Sequence, residues 1–210
     1  TYGVSIDLIG NPARPPITID VDPPHGSYLN RMDSSIAVTV QDVCGGVIVE
    51  SVEFEVQHDG VLETMSVDQN KYNGWSALLQ TAAIQDQPIQ LRTIVKDDEG
   101  YSKASHTVSY ILDRVAPTPA MTLPSAVPGN RQIPVAWSAT DNQSGVRSYD
   151  VEYRQGTDGN WTPWFTQTNS TSATYYAQPG QDYYFRVRAR DVAGNESRFS
   201  GEYAVRSVSP

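Results

Sequence analysis

Residues 179–190 read Pro-Gly-Gln-Asp-Tyr-Tyr-Phe-Arg-Val-Arg-Ala-Arg, and this stretch decides the fold class. The Pro-Gly pair is typical of a turn, and the residues that follow it alternate in polarity. The two alternating sets are Tyr183, Phe185, Val187 and Ala189 against Tyr184, Arg186, Arg188 and Arg190. Successive side chains of a strand point to opposite faces of its sheet. The first set therefore predicts a buried face and the second a solvated face.

Alternating runs of this kind, separated by Gly, Pro, Asn and Asp, recur along the whole chain, and helical periodicity is nearly absent. The predicted strands of the first half are 17–21, 36–40, 47–56, 61–67, 75–79, 89–95 and 107–112. Those of the second half are 121–123, 133–139, 148–154, 164–167, 173–177, 183–190 and 203–206. Short strands with a turn every 8–12 residues or so are typical of antiparallel sandwiches. We therefore predict an all-β chain with two antiparallel β-sandwiches in tandem.

The distribution of charge places the domain boundary. The chain holds 15 Lys+Arg and 24 Asp+Glu, a net charge of −9. Residues 1–115 hold 7 basic and 16 acidic residues, whereas residues 116–210 hold 8 of each. Prolines at 117 and 119 exclude helix and central strand, so a linker is expected at about 113–119, between domains at 1–115 and 116–210.

The same composition excludes two classes of partner. A net charge of −9 argues against nucleic acid, whose phosphates need a basic protein face. No apolar run approaches the roughly 20 residues of a membrane helix, so no membrane insertion is expected.

Three segments of the second domain resemble the fibronectin type III family. They are Val135-Ala136-Trp137 as the second strand, Tyr149-Asp150-Val151-Glu152-Tyr153-Arg154 as the third, and residues 179–189 as the corner and strand that follow. The resemblance implies structural roles for Trp137 in the core, for Tyr153, and for Tyr183, whose hydroxyl is expected to bond to backbone near 178–181. The first domain is similar to bacterial immunoglobulin-like repeats, and matching segments at offsets of 94, 97 and 99 residues predict two copies of one topology.

These resemblances imply a function. This chain is expected to be a non-catalytic spacer or interaction module and a fragment of a larger extracellular, secreted or cell-surface bacterial protein. The expected partners are neighbouring domains of the same parent chain and an unidentified protein or polysaccharide. No cofactor is expected apart from a possible calcium ion.

Two tryptophans carry the alternative function. Trp161 and Trp164 lie in Trp161-Thr162-Pro163-Trp164-Phe165, at a predicted strand and its approach. Exposed, coplanar indoles could stack on sugar rings, which would make the chain an accessory carbohydrate-binding module of a secreted enzyme. In the other interpretation one ring fills the end of the core and the other stacks on an arginine such as Arg154.

The arginines of the quoted strand also allow two interpretations. If the strand containing Asp150 and Glu152 is its neighbour, the arginines and these carboxylates form a cross-strand ladder. Left unmatched, the arginines would instead offer a docking surface to an acidic partner.

Three aspartates form the one candidate metal site. Asp141 and Asp191 lie on loops expected at the same end of the second sandwich, and Asp113 lies on the incoming linker. Three carboxylates there could hold calcium, which takes six to eight oxygen ligands in proteins. Alternatively, each aspartate caps its own turn.

Catalysis is not predicted. His25, His58 and His106 have no metal-ligand spacing, and no serine lies in a Gly-x-Ser-x-Gly elbow. The single Cys44 excludes an internal disulfide and a cysteine-based zinc site.

Overall fold

The structure is a computed structural model that describes residues 17–31, 33–42, 46–127 and 132–207. These residues form strands and turns without a helix, and the predicted class of tandem β-sandwiches is confirmed. The described part accordingly has no helix that could span a membrane. The chain divides into two compact units, Thr1–Asp113 and Arg114–Pro210. Cys44 lies outside the described residues.

The first unit is a sandwich of two sheets. One sheet has the order β1 (Ile17–Asp22), β3 (Asp33–Asp42), β6 (Trp75–Gln80). The other has the order β2 (Tyr28–Leu29), β9 (Val108–Leu112), β7 (Pro88–Asp97), β4 (Val49–His58), β5 (Val61–Asp68), and β8 (Ser102–Ala104) also pairs with β7.

The second unit repeats this topology. Its smaller sheet has the order β10 (Thr118–Thr122), β12 (Gln132–Thr140), β15 (Ser172–Tyr176). The larger has the order β11 (Ala126–Val127), β17 (Tyr203–Ser207), β16 (Asp182–Asp191), β13 (Val146–Gln155), β14 (Thr162–Thr168). Strand by strand this is the order of the first unit without β8, so the predicted repetition of one topology is confirmed.

Each unit has its own apolar core because its strands alternate as the sequence predicts. Along β16 the burial alternates at every residue, and Phe185 and Val187 are completely buried. In the first unit the equivalent strand β7 places Ile89, Leu91 and Val95 in the core. Since each face is defined by a period of two, these long strands fix which side chains reach solvent.

The region predicted as a linker is partly a strand. β10 begins at Thr118, so Pro119 lies inside a strand and not in the linker expected over residues 113–119. Proline is tolerated there because β10 is at the edge of its sheet, where a missing N–H breaks no ladder.

Candidate functional site

Trp164 belongs to the core of the second unit. It lies on β14, and its ring centroid is 4.8 Å from Phe165, 5.4 Å from Tyr175 and 5.6 Å from Phe185. The ring also meets Trp137 edge-on at 6.1 Å. Aromatic pairs at these distances stabilise a core beyond the area that they bury. Trp164 is therefore partly buried against the aromatic core and is not a free surface ring.

The same aromatic cluster extends to Tyr153. Its ring centroid lies 4.7 Å from that of Tyr175, which packs in turn against Tyr183 at 5.2 Å. Burial, followed by the hydrogen bond with Tyr153, raises the pKa of the Tyr175 hydroxyl. The Tyr175 hydroxyl therefore stays neutral, and the rings of Tyr153 and Tyr175 serve packing.

Trp161 is stacked on arginines. The guanidinium carbon of Arg186 lies 4.1 Å from the centroid of the Trp161 ring, and that of Arg154 lies 5.1 Å from it. The stack continues on both sides, since Arg186 also lies over Phe199 at 4.2 Å and Arg154 over Tyr184 at 4.8 Å. Ring surface that a sugar would need is thus occupied by guanidinium groups.

The arginines of β16 are matched by carboxylates. Arg186 donates to Glu152 over 2.6 Å, and Arg188 donates to Asp150 over 2.8 Å. Both pairs join directly opposed residues of β13 and β16. Glu196, on the loop after β16, accepts hydrogen bonds from both Arg188 and Arg190. Arg154 pairs with Glu202 at 2.7 Å. The larger sheet therefore carries a self-neutralised ladder and offers no surplus positive charge to an acidic partner.

Tyr183 makes the corner contact that the resemblance implies. Its hydroxyl oxygen accepts a hydrogen bond from the backbone N–H of Gln178 at 2.9 Å. The first unit uses another residue for a comparable purpose, because the Tyr110 hydroxyl donates to the backbone oxygen of Pro23 over 2.7 Å. Burial raises the pKa of Tyr110 well above its usual range, with a further contribution from the charge of Asp22.

The three aspartates of the predicted calcium site are divided between the units, since Asp113 ends the first and Asp141 and Asp191 lie in the second. Asp113 and Asp191 are fully buried, and Asp141 is half-buried. We call these residues the aspartate group. Carboxylate oxygens are the ligands that calcium prefers.

The loops of the second unit already use two of these carboxylates. Asp191 Oδ1 accepts from the backbone N–H groups of Gly194 and Asn195, at 2.6 and 2.7 Å. Asp141 Oδ2 accepts from the N–H groups of Gln143 and Gly145, at 3.1 and 2.7 Å. Turn capping therefore accounts for their positions, and calcium binding stays a prediction.

The histidines, scattered in the sequence, are partly brought together. His25 and His106 line one cleft of the first unit with Asp20 and Asp22. His25 Nδ1 accepts from the backbone N–H of Ser109 at 3.1 Å, so one ring nitrogen is already used. Among the described residues, neither unit by itself holds three or more His, Cys, Asp and Glu side chains close enough to share a metal ion.

Comparison with known proteins decides the identity of the second unit. The sequence profile of the fibronectin type III domain matches residues 116–206. Residues 116–206 form a fibronectin type III domain. In this domain Trp137 and Tyr183 are buried in the core, and Tyr153 packs against Tyr175.

Solved structures share the tandem architecture. The fibronectin(III)-like modules of Clostridium thermocellum CbhA align over 91% of this chain and 94% of theirs, with a TM-score of 0.51 and 18% identity. A fragment of titin aligns over 91% of this chain and 66% of its own, with a TM-score of 0.58 and 15% identity. At these identities the likeness concerns the fold. No curated protein matches the sequence.

Proposed function

We propose that this chain is a non-catalytic spacer and interaction segment of a larger extracellular, secreted or cell-surface bacterial protein. Fibronectin type III domains are commonly non-catalytic modules of multidomain proteins and typically occur in extracellular or secreted ones. The observation that carries the proposal is the use of both candidate tryptophans in internal contacts. Trp164 packs against four aromatic rings, and Trp161 is stacked on two arginines.

The surface chemistry supports a spacer. The arginine ladder is matched by Asp150, Glu152, Glu196 and Glu202, so it stays solvated without attracting a charged partner. Cross-strand pairs of this kind contribute about 0.2–1 kcal/mol each, and the ladder stiffens the larger sheet of the fibronectin domain. Its function is then to keep neighbouring domains apart.

Alanine variants of the two tryptophans test the proposal against the carbohydrate-binding alternative. Trp164→Ala should lower the unfolding free energy by about 3 kcal/mol, the lower end for tryptophan because the ring is only partly buried. Trp161→Ala should cost about 1–2 kcal/mol, since two cation–π contacts of modest strength are lost. The full chain and both variants should pass unretained over insoluble cellulose and chitin.

A matched control is Tyr72→Ala, which removes an aromatic ring that is 88% exposed in the first unit. It should change neither stability nor retention. If both tryptophan variants are as stable as the parent and only they lose retention on a polysaccharide, the chain is a carbohydrate-binding module and the spacer proposal is wrong.

A further inference from the structure

The two sheets of the fibronectin domain differ sharply in charge. The outward positions of β10, β12 and β15 alternate with buried ones, and none of the eleven exposed residues on these three described strands is charged. These residues are Thr118, Ala120, Thr122, Gln132, Pro134, Ala136, Ser138, Thr140, Ser172, Thr174 and Tyr176. The other sheet carries the arginine ladder. Depletion of charged residues is a mark of the central part of protein interfaces.

The edge strand β15 has free backbone groups. Pro134 lies directly opposite Thr174, and proline has no N–H, so this pair cannot exchange two hydrogen bonds. Bonded and non-bonded pairs alternate along an antiparallel ladder. Trp137 lies three residues beyond Pro134, and its N–H donates to Thr171 O at 2.8 Å. This is the alternation expected when the Pro134–Thr174 pair is non-bonded. The N–H and C=O groups of Ser172, Thr174 and Tyr176 therefore point away from β12, to the side where β15 has no neighbour among the described strands.

Other edges of the same domain are protected. β10 contains Pro119, β14 contains Pro163, and β11 is only two residues long. Prolines and short strands are the usual means of preventing edge-to-edge pairing. The five residues of β15 include no proline and no charge.

The equivalent edge of the first unit carries a side-chain cap at one position. On β6 the backbone N–H of Ser76 donates to Asp68 Oδ2 at 2.9 Å, so a carboxylate occupies the outward side of that strand. No such cap is present on β15 among the described residues.

We propose that the β15 edge pairs with the β15 edge of a second copy of this chain. A two-fold antiparallel arrangement centred on Thr174 places Thr174 opposite its own copy and Ser172 opposite Tyr176. All three outward-facing residues then form hydrogen-bonded pairs, and the sheets join into one of six strands. Two-fold pairing sets a strand against its own sequence, so any charge near the axis would face a like charge. The uncharged strand avoids that repulsion.

The overall charge of the domain permits this association. Residues 116–210 hold 8 basic and 8 acidic residues, so two such domains do not repel. Near-zero net charge favours association. The first unit carries the negative charge of the chain and is not needed for the contact.

Sedimentation equilibrium of the full chain over a range of concentrations tests the proposal, and a monomer–dimer equilibrium is expected. Thr174→Pro removes the outward donor on each copy while β12 keeps its bonds, and Thr174→Lys sets two charges opposite each other. Each variant should raise the dissociation constant about tenfold or more. Ser138→Lys is the control, because it adds the same charge to the same face on the central strand β12, and it should leave the dissociation constant unchanged.

Folding of each variant is checked by its unfolding midpoint. A chain that stays monomeric at its highest soluble concentration would overturn the proposal. So would a dimer that neither Thr174 variant weakens, or one that Ser138→Lys weakens to the same extent.

Discussion

The tyrosine corner offers a sharp test of the strand faces because two adjacent tyrosines of β16 point in opposite directions. Tyr183 is 2% exposed, and its hydroxyl accepts the N–H of Gln178 at 2.9 Å. Tyr184 lies on the outer face with the guanidinium of Arg154 4.8 Å from its ring centroid. Replacing either tyrosine by phenylalanine removes one oxygen atom and keeps the ring.

The expected effects differ because only one hydroxyl serves the backbone. Tyr183→Phe leaves the N–H of Gln178 without its acceptor in a partly buried position, which costs about 1–3 kcal/mol. The ring contact of Tyr183 with Tyr175, at 5.2 Å between centroids, is retained. Tyr184→Phe keeps the contact with Arg154 and should change stability by no more than about 0.5 kcal/mol.

Urea unfolding followed by tryptophan fluorescence suits this comparison. Of the four tryptophans, only Trp75 lies in the first unit, so the signal reports mainly on the fibronectin domain. Tyr183→Phe should lower the midpoint concentration with an unchanged slope, which identifies a loss of stability and not a change in the unfolded state. Equal losses for the two variants would mean that the faces of β16, or the role of the corner bond, are assigned wrongly.

Two further predictions concern carboxylates. In the first unit the hydroxyl of Thr64, and after it Lys96, lower the pKa of Glu53, so this stabilisation is complete above the unfolded value of about 4.3 and is lost as pH falls through the lower folded value. Glu53→Gln should therefore lower the melting temperature at neutral pH, with a difference from the parent that closes in acid; a difference independent of pH contradicts this. For the aspartate group, melting with excess calcium and with chelator tests the predicted ion, since a ligand of the folded state raises the midpoint once it exceeds its dissociation constant. An unchanged midpoint at millimolar calcium would leave these residues as turn caps.

The long strands could be predicted from the sequence because each contains several repeats of the two-residue period. β16, β13 and β12 differ from their predicted spans by one or two residues at either end. The two-residue strands β2 and β11 could not be predicted, since two residues hold no period. β2 pairs with β9, and β11 pairs with β17. Both pairs are parallel, and the two strands of each pair are distant in sequence.

The contacts of the candidate site likewise include some that the sequence predicts and some that it does not. Arg154 could be named as a partner for a tryptophan because the strand pattern places it on the outer face. The pairing of Glu196 and Glu202 with the ladder could not be predicted. Both residues lie on the segment between β16 and β17, and the sequence of that segment has no periodic pattern that would place its side chains. The bond from Tyr110 to Pro23 was missed, although Tyr110 lies among buried alternating residues of β9, where a hydroxyl needs a partner.

The charge difference between the two sheets of the fibronectin domain decides which of them a partner can cover. Covering the ladder would remove water from four arginines and their carboxylates, and desolvation of ion pairs commonly exceeds what their attraction returns. Pairing at the β15 edge of the other sheet desolvates only backbone groups and uncharged side chains, and these backbone groups gain main-chain hydrogen bonds in return. A contact made by this domain alone should therefore form on the uncharged sheet and depend weakly on salt, because no pair of charges is made or broken there.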